Sequence, residues 1–251
     1  LKEEILKIKE QAIKKAKEAV AEIDQENKKI QGIIFLLLME YFEQYSRDGS
    51  FRVNRYQRQT ILKELEGRII EETKIRGYQD VEYAKRILEE IIRETYERHE
   101  SVLGESKEIL LNPLLIQEII LKDYKGDDFE NRVLNNKRRL AGRLYVEFDK
   151  ILLNDSTLEE AANKLGEVFK KSKYDNYRLL MNEQGRVFDE VQTAVFVSEI
   201  RIEKMEWVSV LCDNTCPYCE MMDGSIFEVN DSSRPEIPAH VLCQCCWVPM
   251  N

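Results

Sequence analysis

Apolar positions recur at steps of three and four along the first segment of the chain: Leu1, Ile5, Ile8, Ala12, Ala16, Ala19 and Ile23, with Glu and Lys between them. This period draws one stripe along an α-helix. Gly32 interrupts the stripe, but Ile34, Leu37, Tyr41 and Tyr45 resume it. A long helix or a helix pair is therefore expected to about residue 45, before the turn signal Arg47-Asp48-Gly49-Ser50. The run from Ile33 to Met39 is apolar on every side, which predicts burial between helices.

A second helical block covers about Tyr56 to His99, with a break point at Arg76-Gly77, and residues 101–106 (SVLGES) read as a loop. Asn112-Pro113 reads as a helix start, with Asn as N-cap and Pro in the first turn. Gly126-Asp127-Asp128 separates that helix from one over Phe129 to Leu153. Ser156 or Thr157 can then cap a helix, and Glu159 or Glu160 can complete a capping box. A last helix is drawn by Tyr177, Met181, Gln184, Phe188, Val191, Val195, Ser198, Ile202 and Met205, over about Asp175 to Glu206. Beyond Trp207 the stretch VSVL alternates like a strand, and Asp223-Gly224 is a favoured hairpin turn. The expected fold is mainly α: an elongated body of long helices carrying a small, β-hairpin-containing, Cys/His-rich C-terminal module. In chain order the segments are a helical region over 1–125, a helical lead-in over 126–206 and the Cys/His-rich module over 207–251.

Composition fits that picture: of 251 residues 34% are charged, with only ten Gly and five Pro. The formal net charge of −9 opposes extended binding to duplex nucleic acid. One basic cluster, Arg132, Lys137, Arg138, Arg139 and Arg143, could touch phosphate, although a solvated helix face explains it as well. No apolar run approaches the roughly 20 residues of a membrane span. Phosphate-loop, dinucleotide, metalloprotease and nucleophile-elbow motifs are all missing from the sequence, so no enzyme is indicated. His99 reads as a solvated residue at the polar end of its helix.

All six cysteines fall between Cys212 and Cys246, a local cluster rather than a framework of staples. Cys216-Pro217-Tyr218-Cys219 has the form of a redox dithiol. In a thioredoxin-like enzyme, however, the motif follows a strand near the start of the domain, and here a long helix precedes it with few residues left after it. The metal reading fits better. Cys216 and Cys219 form C-x2-C, and after twenty residues His240 and Cys243 form H-x2-C, with Cys245 as the alternative fourth ligand. Cys212 adds a C-x3-C spacing with Cys216. Two close pairs on either side of a turn are an ordinary way to build a closed, structural zinc site.

The C-terminal half resembles the phage Mu protein F-like minor head proteins, also called phage head morphogenesis proteins. The likeness runs from about Phe129 to Pro249. It is carried by Trp207, Asp213, Thr215, Cys216, Pro217, Cys219, Met222-Asp223-Gly224, Phe227, Pro238, His240, Cys243 and Cys245, in that order. The chain departs from the pattern at Met181-Asn182-Glu183 and at Gln244. The resemblance implies a minor, non-enzymatic component of the phage head, acting in head morphogenesis or in DNA packaging and ejection. Its partners would be the portal protein and the major capsid or scaffold protein, with weak contact to packaged DNA and none to membrane. Its place would be the capsid interior, and the host cytoplasm during assembly. The alternatives are a nucleic-acid-binding zinc module and, further off, a thiol oxidoreductase using Cys216 and Cys219.

Overall fold

Long helices dominate because the apolar stripes are long. The computed structural model describes residues 1–104, 111–209 and 215–250. In order they form α1 (Lys2–Tyr45), β1 (Ser46–Arg47), β2 (Ser50–Phe51), α2 (Arg55–Leu103), α3 (Pro113–Leu121), α4 (Phe129–Leu153), α5 (Leu158–Ser198), β3 (Lys204–Val208), α6 (Pro217–Met222), β4 (Ile226–Glu228) and β5 (Cys246–Met250). The protein is thus mainly helical with a small sheet near the C-terminus, and no helix among the described residues is long and apolar enough to cross a membrane.

Local signals place the helix ends. Asn112 Oδ1 accepts from the N–H groups of Leu114 and Leu115 at the start of α3. Thr157 and Glu160 form a reciprocal capping box at the start of α5: Glu160 N–H donates to Thr157 Oγ1 at 3.2 Å, and Thr157 N–H donates to Glu160 Oε2 at 2.9 Å. Asp48 and Gly49 both take positive φ in the tight turn that joins β1 to β2.

α1 is one long helix rather than a pair, and the break expected at Arg76-Gly77 does not occur. Gly32 lies inside α1 and Gly77 inside α2, and neither ends its helix. Gly77 is there for space: a Cβ would stand 3.1 Å from Leu134 Cδ2 and 3.2 Å from Lys137 Cγ on α4. The last helix, by contrast, ends earlier than its stripe suggests. α5 stops at Ser198, and Met205 and Trp207 are buried in β3, not on a helix face. A step of three to Met205 is compatible with a helix, but the alternation of Met205 and Trp207 is the pattern that the fold uses.

By contacts the chain divides into two compact units, one formed by Leu1–Ala19, Tyr83–Phe129 and Arg178–Asn251, the other by Val20–Glu82 and Glu130–Tyr177. These interleaved units are cut along different lines from the three consecutive segments suggested by changes in sequence character. The second unit has an apolar core from four long helices, including Ile34, Leu38, Leu65, Leu144, Phe148 and Leu165. Within the run Ile33–Met39, Ile34, Leu37 and Leu38 are buried while Leu36 and Met39 face outward. A charged group is also buried there. Lys137 Nζ lies 2.6 Å from both Asp80 Oδ2 and Asn27 Oδ1, and Arg76 binds Asp80 and Glu26. Arg143 pairs with Asp175 at 2.7 Å. Lys137 of the basic cluster is thus buried and Arg143 is paired while part-exposed, whereas Arg138 and Arg139 are exposed.

The first unit contains the C-terminal sheet, with β3 in the centre and antiparallel to both β4 and β5. Asp223-Gly224 joins α6 to β4 and does not close a hairpin: Gly224 takes φ +77°, and Asp223 Oδ1 accepts the Ser209 N–H at 2.8 Å.

Candidate metal centre

Cys216 and Cys219 are placed by α6. Cys216 is its N-cap, Pro217 opens its first turn, and Cys216 Sγ accepts the Cys219 N–H at 3.3 Å. That bond orients one sulfur and turns the next ligand inward, where Cys219 is fully buried. His240 and Cys243 sit in a tight turn: Cys243 N–H donates to His240 O at 3.1 Å, and Leu242 takes φ +64°. α5 anchors this turn. Asn182 Oδ1 accepts the Leu242 N–H at 2.7 Å, and a Cβ at Gly185 would stand 3.5 Å from Cys243 O.

His240 Nδ1 lies 2.9 Å from the Val241 carbonyl, which can only accept, so Nδ1 carries the proton. Nε2 therefore presents its lone pair to the sulfurs, 3.0 Å from Cys216 Sγ and 3.1 Å from Cys219 Sγ. A backbone carbonyl fixing the tautomer is the usual support of a metal-binding imidazole. Cys219 Sγ is 3.9 Å from Cys243 Sγ. Two groups of three have all their donor atoms within 4.8 Å of one another: Cys216, Cys219 and His240, and Cys219, Cys243 and Cys245. Cys219 belongs to both.

Zinc–sulfur bonds of about 2.3 Å and zinc–nitrogen bonds of about 2.0–2.1 Å in a tetrahedron place S···S near ~3.8 Å and S···N near ~3.5 Å. The Cys219–Cys243 spacing already fits, and the two S···N spacings would open by about half an ångström around such an ion. The Cys/His cluster could therefore hold a metal ion. Of the residues expected from the spacing, Cys216, Cys219 and His240 form one group, while Cys243 falls in the other with Cys219 and Cys245, so the two groups meet at Cys219. Cys246 faces elsewhere, in β5 opposite Val208, and burial pushes its thiol up to about 12. Cys212 and Asp213 lie outside the described residues.

The electrostatics of the sulfurs are uneven. Hydrogen bonds from Cys245, through its side chain first and then its backbone, hold the Cys243 thiol down to about 5. Burial pushes the Cys219 thiol up to about 12. A thiol pushed that high is a poor member of a thiol–disulfide couple at neutral pH, but it ionises when a cation takes its charge. The surrounding shell is apolar. Trp207 stacks edge-on against Trp247 with centroids 5.2 Å apart, and Phe227 packs on Trp247 at 5.5 Å.

His99 corrects the sequence reading. It is fully buried, because α2 runs on to Leu103 and residue 99 continues the buried row Leu88, Ile92 and Thr95. Its Nδ1–H donates to Thr95 O at 2.7 Å, so Nε2 accepts from Gln192 Nε2 at 3.0 Å. Gln192 Oε1 in turn accepts the Trp247 N–H at 3.0 Å. Burial pushes the imidazole down to about 4, keeping it neutral. The three-and-four spacing from Leu88 was the available sign of this role.

No family model, curated protein or solved structure matches this chain.

Proposed function

We propose that this chain is a structural assembly protein of a phage head, a minor head protein whose C-terminal module is closed by one structural zinc ion. The observation that carries the metal part is the pair of Cys/His donor groups, three residues each, that share buried Cys219 in a unit whose nearby strands are at most five residues long. Zinc accepts mixed thiolate and imidazole ligation in a closed tetrahedron, with three thiolates and His240 as the first choice. Cys243 is the preferred fourth ligand because its Sγ lies 3.9 Å from Cys219 Sγ, close to the tetrahedral S···S spacing.

The head-protein part rests on the residue order that runs from Trp207 to Cys245. Several of those positions have identifiable work in the fold: Trp207 packs on Trp247, Asp223 holds the backbone of Ser209, and Pro238 receives the Tyr124 hydroxyl on its carbonyl at 2.9 Å. On this reading the module binds portal, capsid or scaffold protein in the capsid interior. Any contact with packaged DNA falls to Arg138 and Arg139.

Two measurements test the proposal. Elemental analysis of the purified protein is expected to give about one zinc per chain, and a metal-free, fully folded module would remove the metal part. Co-expression with the portal and capsid proteins of the same phage is expected to place the chain in particles. Particles that form without it would remove the head-protein part.

A further inference from the structure

Lys9 is fully buried, and its Nζ has no hydrogen-bond partner among the described residues. It stands 4.4 Å from the centroid of the Phe188 ring. One aromatic face offsets only part of the cost of taking an ammonium out of water. The surroundings of Phe188 show where the missing counter-charge lies. Gly185, one turn before it on α5, touches the backbone of Cys243. Gln192, one turn after it, holds the Trp247 N–H. The strand of chain from Cys243 to Trp247 therefore runs along the α5 face that carries Phe188, and Lys9 lies on the middle of that face.

Burial pushes the Lys9 ammonium down, and the groups that oppose this when ionised are, in order, Cys246, whose own thiol burial keeps neutral, then Cys243, Asp189 and Cys245. Asp189 is a weak partner. Its Oδ1 is itself buried without a hydrogen bond, burial pushes its carboxyl up to about 7, and Arg234 acts on it more strongly than Lys9 does. A divalent cation held by three thiolates and one neutral imidazole leaves a net charge of minus one, and by four thiolates minus two. That charge would arise beside Lys9.

We infer that Lys9 is the buried counter-cation of the metal centre, so that metal binding fastens the first turns of α1 to the C-terminal segment. The inference rests on the metal reading of the cluster. It gives α1 a role that its apolar stripe does not reveal: Lys2 pairs with Glu206 of β3 at 2.8 Å and Ile5 is fully buried, and Lys9 links the same helix to the charge of the site.

The test uses the full chain as wild type, Lys9→Met and Asp189→Asn, with zinc affinity measured by chelator competition and hydrogen exchange followed over residues 2–19. Zinc is expected to slow exchange there in the wild type. Lys9→Met is expected to weaken zinc binding roughly tenfold or more, at unchanged stoichiometry, and to abolish that slowing, with Asp189→Asn changing affinity less. Equal zinc affinity in wild type and Lys9→Met overturns the inference while leaving the metal reading intact. So does an Asp189→Asn loss larger than that of Lys9→Met, which would make Lys9 the partner of Asp189. A wild type that binds no zinc overturns the metal reading, and the inference with it. If Lys9→Met does not fold, wild-type exchange over residues 2–19 that ignores zinc is sufficient to overturn it.

Discussion

The two compact units solve the same problem with different materials. In the unit built from Val20–Glu82 and Glu130–Tyr177, long helices each bring a stripe of aliphatic side chains, and the stripes suffice to make a core. Around the C-terminus of the other unit, strands of three to five residues and a six-residue helix bring few large aliphatic groups. Their place is taken by two Trp rings and buried cysteines. Short elements order themselves less readily by apolar burial alone, and the metal cross-link proposed above would reduce that need. One unit should therefore survive loss of metal and the other should not.

Cys219→Ser is the sharpest way to break this contrast, because among the described residues Cys219 is the one that belongs to both donor groups. Zinc binding should fall by orders of magnitude. Structural zinc contributes about 10–16 kcal/mol to the folding of small zinc modules, so residues 204–250 should lose protection from hydrogen exchange. Residues 20–82 should keep theirs. Equal loss in both regions, or none in either, would show that the units do not differ in this way.

Asp80→Asn makes the opposite cut. It leaves the buried Lys137 ammonium without its carboxylate, a change that costs about 3–5 kcal/mol when a buried pair is broken from one side. The expected result is a lower thermal midpoint with unchanged zinc stoichiometry. A variant that melts with the wild type would mean that Lys137 relies on Asn27 alone.

How much of this contrast could be read beforehand follows from the range of each interaction. The start of α3 and both ends of α4 were legible to the residue, because Asn112-Pro113 is a cap and Gly126-Asp127-Asp128 and Asn154-Asp155 flank α4 with turn residues. The Cys/His cluster was legible because the spacing within each close pair is local too. The end of α5 was not, since Ile202 and Met205 satisfy a helical stripe and a strand equally well until β4 and β5 are present to pair with β3. Gly77 looked like a break because its reason lies on α4, more than fifty residues away. Asn182, in the stretch where the sequence departs from the head-protein pattern it resembles, holds Leu242 by a bond across sixty residues that no spacing rule could supply.

His99 tests the unit that contains the Cys/His cluster without touching a candidate donor. Its imidazole, pushed by burial from 6.5 to about 4, is neutral in folded and unfolded chains alike above about pH 6.5. As pH falls the unfolded chain takes the proton first. Stability is therefore lost from about pH 6.5 downward and levels off for this group below about 4, a total of about 3 kcal/mol. In the intact protein the His99 ring resonances should not move between pH 7 and pH 5.5. A midpoint near 6.5 would mean that the ring is not held between Thr95 and Gln192 as a neutral donor and acceptor.

The smallest effect compares the same local device in each unit. Thr157 caps α5 through a bond of 3.2 Å from Glu160 N–H, and Cys216 caps α6 through one of 3.3 Å from Cys219 N–H. Thr157→Ala should cost about 1 kcal/mol, and Thr157→Ser should restore most of it, because only the acceptor oxygen matters at that position. If Cys216 were only a cap, Cys216→Ser should be neutral or better, since Ser is a preferred N-cap residue. If its sulfur is also a ligand, the improved cap cannot compensate, and the variant should lose zinc affinity together with protection over residues 204–250. Chelator competition on Thr157→Ser and Cys216→Ser, run side by side, separates the two: the first should match the wild type, and a match by the second would remove Cys216 from the metal site while leaving Cys219, Cys243 and Cys245 to hold the ion.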